Sequence, residues 1–332
     1  MTISGKYRLL RLLGQGSAGS VWAAENLLVG RRVAIKILNA EVTREAGMQQ
    51  RFHAEARLSA RLAHPNVVDV YDLGNTEEGV PYIVMEVLNG ETLESVLERR
   101  GKLPTGETCE LMLQVLGTLA AAHDLEIVHR DLKPANVMLT YPKSGRPMVK
   151  VLDFGIAQGI HAEGSPLSET GLIIGTPQYM APEQAMGTPL DLRCDLYAAG
   201  AILYEMLSGV PAIHGDSLES ILVNVMTVVP EPLGSLVGGV PPKLESLVMA
   251  ALSKDRDQRP RSAGEMMDVI ESFADNAGSL VPRRSERPMP LLTKKRPNVA
   301  EPAPAPQKKT QKLELVAEST MPPPDDESTE LP

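Results

Sequence analysis

One segment, Ile127–Asn136, constrains this chain more than any other part of the sequence. It reads IVHRDLKPAN and carries a carboxylate at Asp131, an ammonium at Lys133 and an amide at Asn136. Transfer of a phosphoryl group needs this set, because the carboxylate orients an acceptor hydroxyl and takes its proton, the ammonium offsets phosphate charge, and the amide oxygen binds Mg²⁺. A polar turn without such a role is the alternative, but a match over the whole segment is hard to reach by chance.

A second candidate metal ligand follows at Asp153. The apolar run Val149–Leu152 predicts a short strand, and this strand leads into Asp153-Phe154-Gly155. An aspartate at the end of a strand can bridge Mg²⁺ to the β- and γ-phosphates of a nucleotide. Asp-Phe-Gly alone is a common turn tripeptide, but its position shortly after Asn136 favours the metal-binding interpretation.

A glycine-rich segment near the start of the chain has the pattern G-x-G-x-x-G-x-V. Glycines let backbone N–H groups approach phosphate oxygens. The pattern also occurs in dinucleotide-binding folds and in plain hairpins, but a dinucleotide loop opens a helix, whereas Val21–Ala24 predicts a strand. We therefore expect a flap over a nucleotide. Its residues are Leu13, Gly14, Gln15, Gly16, Ser17, Ala18, Gly19 and Val21.

The residues Val33-Ala34-Ile35-Lys36 put a lysine at the end of an apolar strand. Such a lysine normally packs its stem and keeps its ammonium in water. The functional interpretation is a cation on the α- and β-phosphates of ATP, held by a carboxylate. Glu55, in the middle of the next predicted helix, is the natural partner, and Glu41 and Glu45 near the start of that helix are rivals. The surrounding motifs favour Glu55.

The periodicity of apolar residues predicts an α+β chain with a small β-rich lobe followed by a larger helical lobe. The small lobe spans about residues 7–87 and contains one key helix, at about 41–63. The larger lobe spans about residues 92–272. Strands are predicted at 7–13, 21–26, 32–38, 67–73 and 82–87, and helices at 92–100, 105–123, 195–208, 218–227, 243–252 and 262–274.

Composition changes sharply near residue 276. The remaining residues include the runs PRRSERPMP, KKRP, PAPAP and PPPDDE. Such a segment cannot bury enough apolar surface to offset its chain entropy. We therefore expect residues 276–332 to form a disordered, Pro-rich, charged tail.

Charge, cysteine content and hydropathy limit the partners and the compartment. A net charge of −9 argues against a nucleic-acid partner. Cys109 and Cys194 are too few for a disulfide framework, and we expect packed thiols in a reducing compartment. No secretory signal precedes Tyr7, and no run of about 18 apolar residues occurs, so we expect a cytoplasmic protein without a membrane partner.

These motifs resemble those of eukaryotic-type (Hanks-type) Ser/Thr protein kinases, in particular the bacterial members. The glycine loop, strand lysine, helix glutamate, His-Arg-Asp, Asn and Asp-Phe-Gly occur in the family's order. The segment Gly175–Glu183 resembles the end of an activation segment, and Arg259 matches the arginine that pairs with its glutamate. Asp195 matches the helix aspartate that anchors the catalytic loop. The resemblance covers about residues 7–272 and implies the bilobal kinase fold.

The resemblance implies transfer of the γ-phosphoryl group of ATP, with Mg²⁺, to Ser or Thr hydroxyls of proteins. Lys133 and Thr176 resemble residues that distinguish Ser/Thr kinases from Tyr kinases. Met85 resembles the residue that guards the adenine pocket, and Glu86–Leu88 resembles the hinge whose backbone binds adenine. The implied catalytic residues are Asp131, Lys133, Lys36, Glu55 and Thr176. Ala34, Lys36, Met85, Glu86, Leu88 and Met138 join the glycine flap at the nucleotide, and Asn136 and Asp153 hold the metal.

Arg130, directly before Asp131, adds an implied regulatory role. In the family this arginine often pairs with a phosphate on the activation loop. The candidate phosphosites are Ser165, Ser168, Thr170 and Thr176. Ser168 and Thr170 lie where bacterial relatives autophosphorylate, so the resemblance also implies self-association for autophosphorylation in trans.

Two other functions share parts of this pattern. A pseudokinase scaffold would bind nucleotide without transfer, but the residues needed for transfer are all present in the sequence. A small-molecule phosphotransferase would share Asp131, Asn136 and Asp153. Such enzymes usually lack both Leu-Lys-Pro after the catalytic aspartate and the Gly-Thr-Pro…Ala-Pro-Glu segment that presents a peptide.

Overall fold

The computed structural model describes residues 1–16, 19–39, 52–53, 56–57, 60–142, 146–154 and 177–274. The chain divides into two units, Met1–Pro282 and Arg283–Pro332. The second unit lies outside the described residues, as does the predicted disordered tail. Most of the helix predicted at 41–63 also lies outside them. The backbone is helical at 52–53, 56–57 and 60–61 within that range.

A six-stranded antiparallel sheet forms the first part of the described chain. Its strand order is β1-β2-β3-β4-β6-β5. The strands are β1 (Thr2–Ile3), β2 (Tyr7–Gln15), β3 (Gly19–Asn26), β4 (Arg31–Leu38), β5 (Val70–Asn75) and β6 (Pro81–Met85). Strand β4 is buried on both faces, because Val33 and Ile35 pack in one apolar cluster and Ala34 and Leu38 in another. Side chains alternate along a strand, so Lys36 shares the second face.

The predicted strands are confirmed, but the strand predicted at 82–87 ends at Met85 and the strand predicted at 67–73 starts late. Strand β5 begins at Val70, because Val67 and Val68 are bonded to the end of the second sheet, at Val151. Val67 forms a parallel bridge with Val151, and the Val151 N–H donates to the carbonyl of Asn66 at 2.7 Å. The Asn66 side chain also donates to the carbonyl of Val149 at 2.7 Å. This stretch therefore ties the first sheet to the second rather than extending β5.

The second part of the described chain consists of a three-stranded sheet and helices. The sheet has the order β7-β8-β9, with β7 (Gly90–Thr92), β8 (Val137–Thr140) and β9 (Met148–Val151). The helices are α1 (Leu93–Arg100), α2 (Thr105–His123), α3 (Pro182–Ala185), α4 (Arg193–Ser208), α5 (Leu218–Thr227), α6 (Leu233–Leu236), α7 (Pro242–Ala251) and α8 (Ala263–Ile270). Among the described residues, no helix combines the length and apolar character that a membrane span requires.

Helices α2 and α4 form the centre of the helical part. Both are buried around most of their circumference, as expected for helices that are apolar on all sides. Cys109 on α2 and Cys194 on α4 are buried, as predicted, and burial raises the pKa of the Cys194 thiol above its ordinary value. The elements that pack against α2 and α4 therefore contact a rigid part of the core.

A buried ion pair joins α3 to the chain before α8. The guanidinium of Arg259 donates to both carboxylate oxygens of Glu183, at 2.7 and 2.8 Å. The Arg259 side chain is fully buried, and its guanidinium carbon lies 5.0 Å from the ring centroid of Tyr197. The pairing of Arg259 with Glu183, expected from the family resemblance, is confirmed.

Two helical glycines give a matched test of this packing. A Cβ added to Gly200 on α4 would lie 2.7 Å from the Cβ of Ala251 on α7, whereas one added to Gly117 on α2 would meet only Met267 Cε at 4.0 Å. We expect Gly200→Ala to lower the free energy of unfolding by about 1–3 kcal/mol through overpacking. Gly117→Ala should raise it by about 0.5–1 kcal/mol. Urea unfolding of both variants checks this, and equal effects would contradict it.

Candidate active site

The buried carboxylate of Asp195, on the first turn of α4, holds the loop that carries Asp131. Its two oxygens accept hydrogen bonds from the backbone N–H groups of His129 and Arg130, each at 2.8 Å. The Nε2 atom of His123, at the end of α2, lies 2.8 Å from the same carboxylate. These bonds hold Arg130 at φ 67°, a left-handed backbone that a residue with a side chain adopts only under constraint. The role of Asp195 as an anchor of the loop is thus confirmed.

His129 connects this loop to the end of β9. Its Nε2 lies 2.9 Å from the carbonyl of Leu152, and its Nδ1 accepts the N–H of Asp131 at 3.3 Å. A neutral imidazole with its proton on Nε2 satisfies both bonds. The buried ring of Phe154 packs against His129 with 4.6 Å between ring centroids. The residues on either side of Asp153 are therefore fixed relative to Asp131.

The three polar groups predicted on the catalytic loop lie together. The ammonium of Lys133 is 3.1 and 2.9 Å from the two carboxylate oxygens of Asp131. The Asn136 amide donates from Nδ2 to the backbone carbonyl of Asp131 at 2.7 Å and to its Oδ2 at 3.1 Å. Both bonds use the nitrogen of the amide, so its Oδ1 oxygen is the atom that can serve a cation.

Lys36 reaches the second predicted metal ligand. Its ammonium lies 2.7 Å from Oδ2 of Asp153, and the lysine side chain is only 11% exposed. Asp153 has φ 56°, again in the left-handed region. The predicted partner of Lys36, Glu55, lies outside the described residues, and that pairing stays a prediction.

The donor set fits a hard divalent cation. One carboxylate at Asp153 and one amide oxygen at Asn136 follow the preference of Mg²⁺ for oxygen ligands, with phosphates completing the shell. Within the described ranges, no group of three or more His, Cys, Asp or Glu side chains could form a protein-only metal cage.

Four of the residues predicted at the nucleotide, Val21, Ala34, Met85 and Leu88, belong to one apolar cluster. Ala34 and Met85 are buried there and pair across β4 and β6, with Val21, Leu88 and Leu152 packed against them. Met138 is half-buried on β8. Of the flap residues, Ser17 and Ala18 lie outside the described part of the chain.

The flap glycines serve two different purposes. A Cβ on Gly19 would lie 2.2 Å from the carbonyl oxygen of Ile37, so the close approach of β3 to β4 requires glycine there. Gly14 and Gly16 have open space where a Cβ would lie. The Gly16 N–H donates to the Gly19 carbonyl at 2.8 Å. Gly14 and Gly16 therefore leave room for a ligand to approach the backbone.

The end of the activation segment is fastened to the catalytic loop by a residue that the sequence analysis missed. Gln184 donates from Nε2 to the carbonyl of Arg130 at 2.7 Å and accepts the N–H of Ala181 at 3.0 Å. Its place directly after Ala-Pro-Glu was the available signal. Tyr179 donates to Glu205 at 2.5 Å, and burial raises the pKa of both groups.

Lys150 on β9 was also missed. Its side chain is buried and lies 2.5 Å from Oε1 of Glu86, the predicted hinge residue. The only signal in the sequence was a lysine inside an apolar strand, and this signal does not identify the residue with which the lysine pairs. The other candidates, Thr176 and the phosphosites Ser165, Ser168 and Thr170, lie outside the described residues.

Comparison with known proteins identifies the family. The model of the protein kinase domain matches residues 7–270. The kinase domain of Mycobacterium tuberculosis PknI superimposes with a TM-score of 0.65 at 27% sequence identity, covering 82% of this chain and 98% of that domain. The chain therefore belongs to the protein kinase family, which uses ATP and a divalent metal.

Bacterial Ser/Thr kinases are among its relatives. The chain is 39% identical over 294 residues to the serine/threonine-protein kinase PknA of Mycobacterium tuberculosis, covering 87% of this chain and 66% of that protein. It is 40% identical over 276 residues to a probable serine/threonine-protein kinase of Streptomyces coelicolor, covering 82% of this chain and 40% of that protein. The chain thus spans only part of the length of these relatives.

Asp195→Asn tests the anchor of the catalytic loop. An amide offers one oxygen, so one buried N–H of His129 or Arg130 loses its acceptor, at a cost of about 1–3 kcal/mol. We expect the amide protons of His129 and Arg130 to exchange with solvent at least about tenfold faster, since 1.4 kcal/mol corresponds to a factor of ten. Hydrogen exchange measured by mass spectrometry checks this. Asp191→Asn, on the partly exposed carboxylate beside Arg193, is the control, and unchanged exchange in Asp195→Asn would contradict the anchor.

Proposed function

We propose that this chain is an active Ser/Thr protein kinase that transfers the γ-phosphoryl group of ATP to hydroxyls of protein substrates, with Mg²⁺ as the metal. The observation that carries the proposal is that Lys133 and Asn136 both contact Asp131, while Lys36 contacts Asp153. The Leu152 N–H, directly before Asp153, donates to the Asn136 carbonyl at 2.9 Å and links the two groups. The names of the bacterial relatives support a protein acceptor with Ser or Thr residues.

Each charged group has a distinct role in this proposal. The carboxylate of Asp131 orients the acceptor hydroxyl and accepts its proton, while the ammonium of Lys133 offsets charge on the transferred group. Asn136 Oδ1 and the carboxylate of Asp153 hold Mg²⁺, which neutralises charge on the phosphates when it is bound. Lys36 binds phosphate oxygens. Its ion pair with Asp153 holds the ammonium near the metal-binding carboxylate.

Glu55 and Thr176 complete the proposed catalytic set. Glu55 holds Lys36 from the helix of the small lobe, and Thr176 contacts Asp131 and Lys133 from the activation segment. Both roles rest on the family resemblance. The adenine pocket of Val21, Ala34, Met85, Leu88 and Met138, with the backbone of Glu86 and the glycine flap, binds the rest of the nucleotide.

We further propose regulation by phosphorylation of the activation loop in trans between two copies of the chain. The Nε atom of Arg130 is buried and has no hydrogen-bond partner among the residues that the structure describes. A buried guanidinium nitrogen without a partner is costly, and a phosphate nearby would satisfy it. This supports Arg130 as the group that receives a phosphorylated Ser168 or Thr170.

We also propose a compartment for this chain and the classes of partner that it does not bind. Two buried free cysteines fit a reducing compartment such as the cytoplasm. The net charge of −9 disfavours binding to nucleic acid. We therefore expect proteins as the macromolecular partners of this chain, without nucleic acid or membrane.

Asp131→Asn is the direct test of phosphoryl transfer. The amide of asparagine cannot take the proton of the acceptor hydroxyl. We therefore expect kcat for phosphorylation of a generic protein acceptor to fall by about three orders of magnitude. Binding of ATP should persist. The measurement is incorporation of radiolabelled phosphate, with the exposed Asp216→Asn as the matched control. A wild type without transfer would favour the scaffold function and contradict the proposal.

The regulatory proposal predicts the behaviour of a Ser168→Ala/Thr170→Ala double variant. Without a phosphate for Arg130, its activity should fall at least about tenfold, the effect of losing one charge-assisted contact of about 1.5 kcal/mol. Treatment with a phosphatase should lower wild-type activity to the same level and leave the double variant unchanged. Full activity in the double variant would show that these two sites do not regulate the kinase.

A further inference from the structure

Two cations lie against one buried tyrosine ring in the helical part of the chain. Tyr197 on α4 is fully buried. The guanidinium carbon of Arg259 lies 5.0 Å from its ring centroid, and the ammonium of Lys254, a half-buried residue shortly after α7, lies 5.6 Å from the same centroid. Like charges repel more strongly when they are partly removed from water. The two cations therefore need a shared anion, or one of them must lose its charge.

The nearby anion is fully engaged with Arg259. The carboxylate of Glu183 accepts hydrogen bonds from both terminal nitrogens of that guanidinium, at 2.7 and 2.8 Å. The other three N–H groups of the guanidinium donate to the backbone carbonyls of Ser253, Arg193 and Lys254, at 2.8, 3.2 and 3.3 Å. All five donors of Arg259 are thus in use. Arg259 is satisfied, whereas its positive charge still acts on the ammonium of Lys254.

The lack of a carboxylate partner distinguishes Lys254 from the other lysines. Within the described ranges, the ammonium of Lys254 forms no ion pair, and the hydrogen bond that it donates goes to the hydroxyl of Tyr197 at 3.3 Å. Every other lysine in these ranges either pairs with a carboxylate or is exposed. The paired lysines are Lys6, Lys36, Lys133 and Lys150, and the exposed ones are Lys102 and Lys243.

These surroundings favour the neutral form of the Lys254 amine. Burial, and then the positive charge of Arg259, lower the pKa of this amine to about 8. About one amine in ten is then neutral at pH 7, whereas an ordinary lysine has fewer than about one in a thousand in that form. A lysine that is desolvated beside another cation is an activated nucleophile. Lys254 is therefore the described lysine whose environment best suits attack on an electrophile.

The same contacts restrict the kind of modification that fits this position. A methylated amine keeps its positive charge, so the repulsion by Arg259 would remain. A carbamate is an anion that needs hydrogen-bond donors, and those of Arg259 are already used. An acyl amide is neutral, and it keeps one N–H that can donate to the hydroxyl of Tyr197. Acylation is thus the modification that removes the repulsion without creating a new unpaired charge.

We propose that Lys254 is a site of acylation by a small activated acyl donor, either an acyl phosphate or an acyl thioester. The lone pair of Nζ attacks the acyl carbon and forms an amide bond. The bond from that carbon to the phosphate oxygen or thiolate sulfur breaks, and its electron pair leaves with the phosphate or thiolate. One proton passes from the nitrogen to water. The reaction does not depend on phosphoryl transfer by this chain.

Acetylation of the full chain by acetyl phosphate, and separately by acetyl coenzyme A, tests the site by mass spectrometry of peptides. The exposed Lys102 and Lys243 are internal controls. At pH 7 we expect Lys254 to react about tenfold faster than the controls, because its larger neutral fraction outweighs its lower basicity and partial burial. The rate at Lys254 should level off above about pH 8, while the rates of the controls keep rising. The faster donor identifies the source of the acyl group.

The same reaction in urea is the matched control, because unfolding removes both the burial of Lys254 and its contact with the ring that Arg259 shares. The three lysines should then react at similar rates and with the same dependence on pH. Equal rates in the folded chain, or a preference for Lys254 that persists in urea, overturns the assignment. Neither result bears on the proposed kinase activity, which is measured separately.

Discussion

The geometry of the site depends on one buried carboxylate, that of Asp195. It accepts two consecutive backbone N–H groups from the loop before Asp131, and it does so from a helix that is itself enclosed by the core. A buried acceptor with donors on several sides has a single low-energy arrangement. The Asp195 carboxylate therefore fixes the position of the loop. The side chains that the loop carries, Asp131, Lys133 and Asn136, are positioned with it. His129 connects the loop to the strand that precedes Asp153 through its bonds to Asp131 and Leu152.

Much of this arrangement could be predicted from the sequence. The helix at Thr105–His123 was predicted with the observed bounds, because its apolar residues continue around the helix and a proline precedes it. The polar groups of the catalytic loop and Asp153 were found because the chemistry of phosphoryl transfer restricts which residue types can occur together. Glu183 and Arg259 were paired through the family resemblance, although 76 residues separate them in the chain.

What the sequence did not predict are contacts between elements that lie far apart along the chain. The strand predicted at 67–73 begins three residues late because Val67 and Asn66 bond to β9, and periodicity cannot report such a partner. The pair of Lys150 with Glu86 was missed for the same reason. Lys36 shows a related limit, since its neighbour in the structure is Asp153, a residue that approaches only when two sheets are brought together.

Arg130 and Asp153 both have a left-handed backbone, at a cost of about 1–3 kcal/mol each. Neither conformation is favoured locally, so both persist only while Asp195, His129 and the core around them stay packed. Heating loosens a structure unevenly before it melts as a whole. If those contacts loosen first on heating, the proposed site would lose its geometry at a temperature below the global melting point, with the secondary structure still intact.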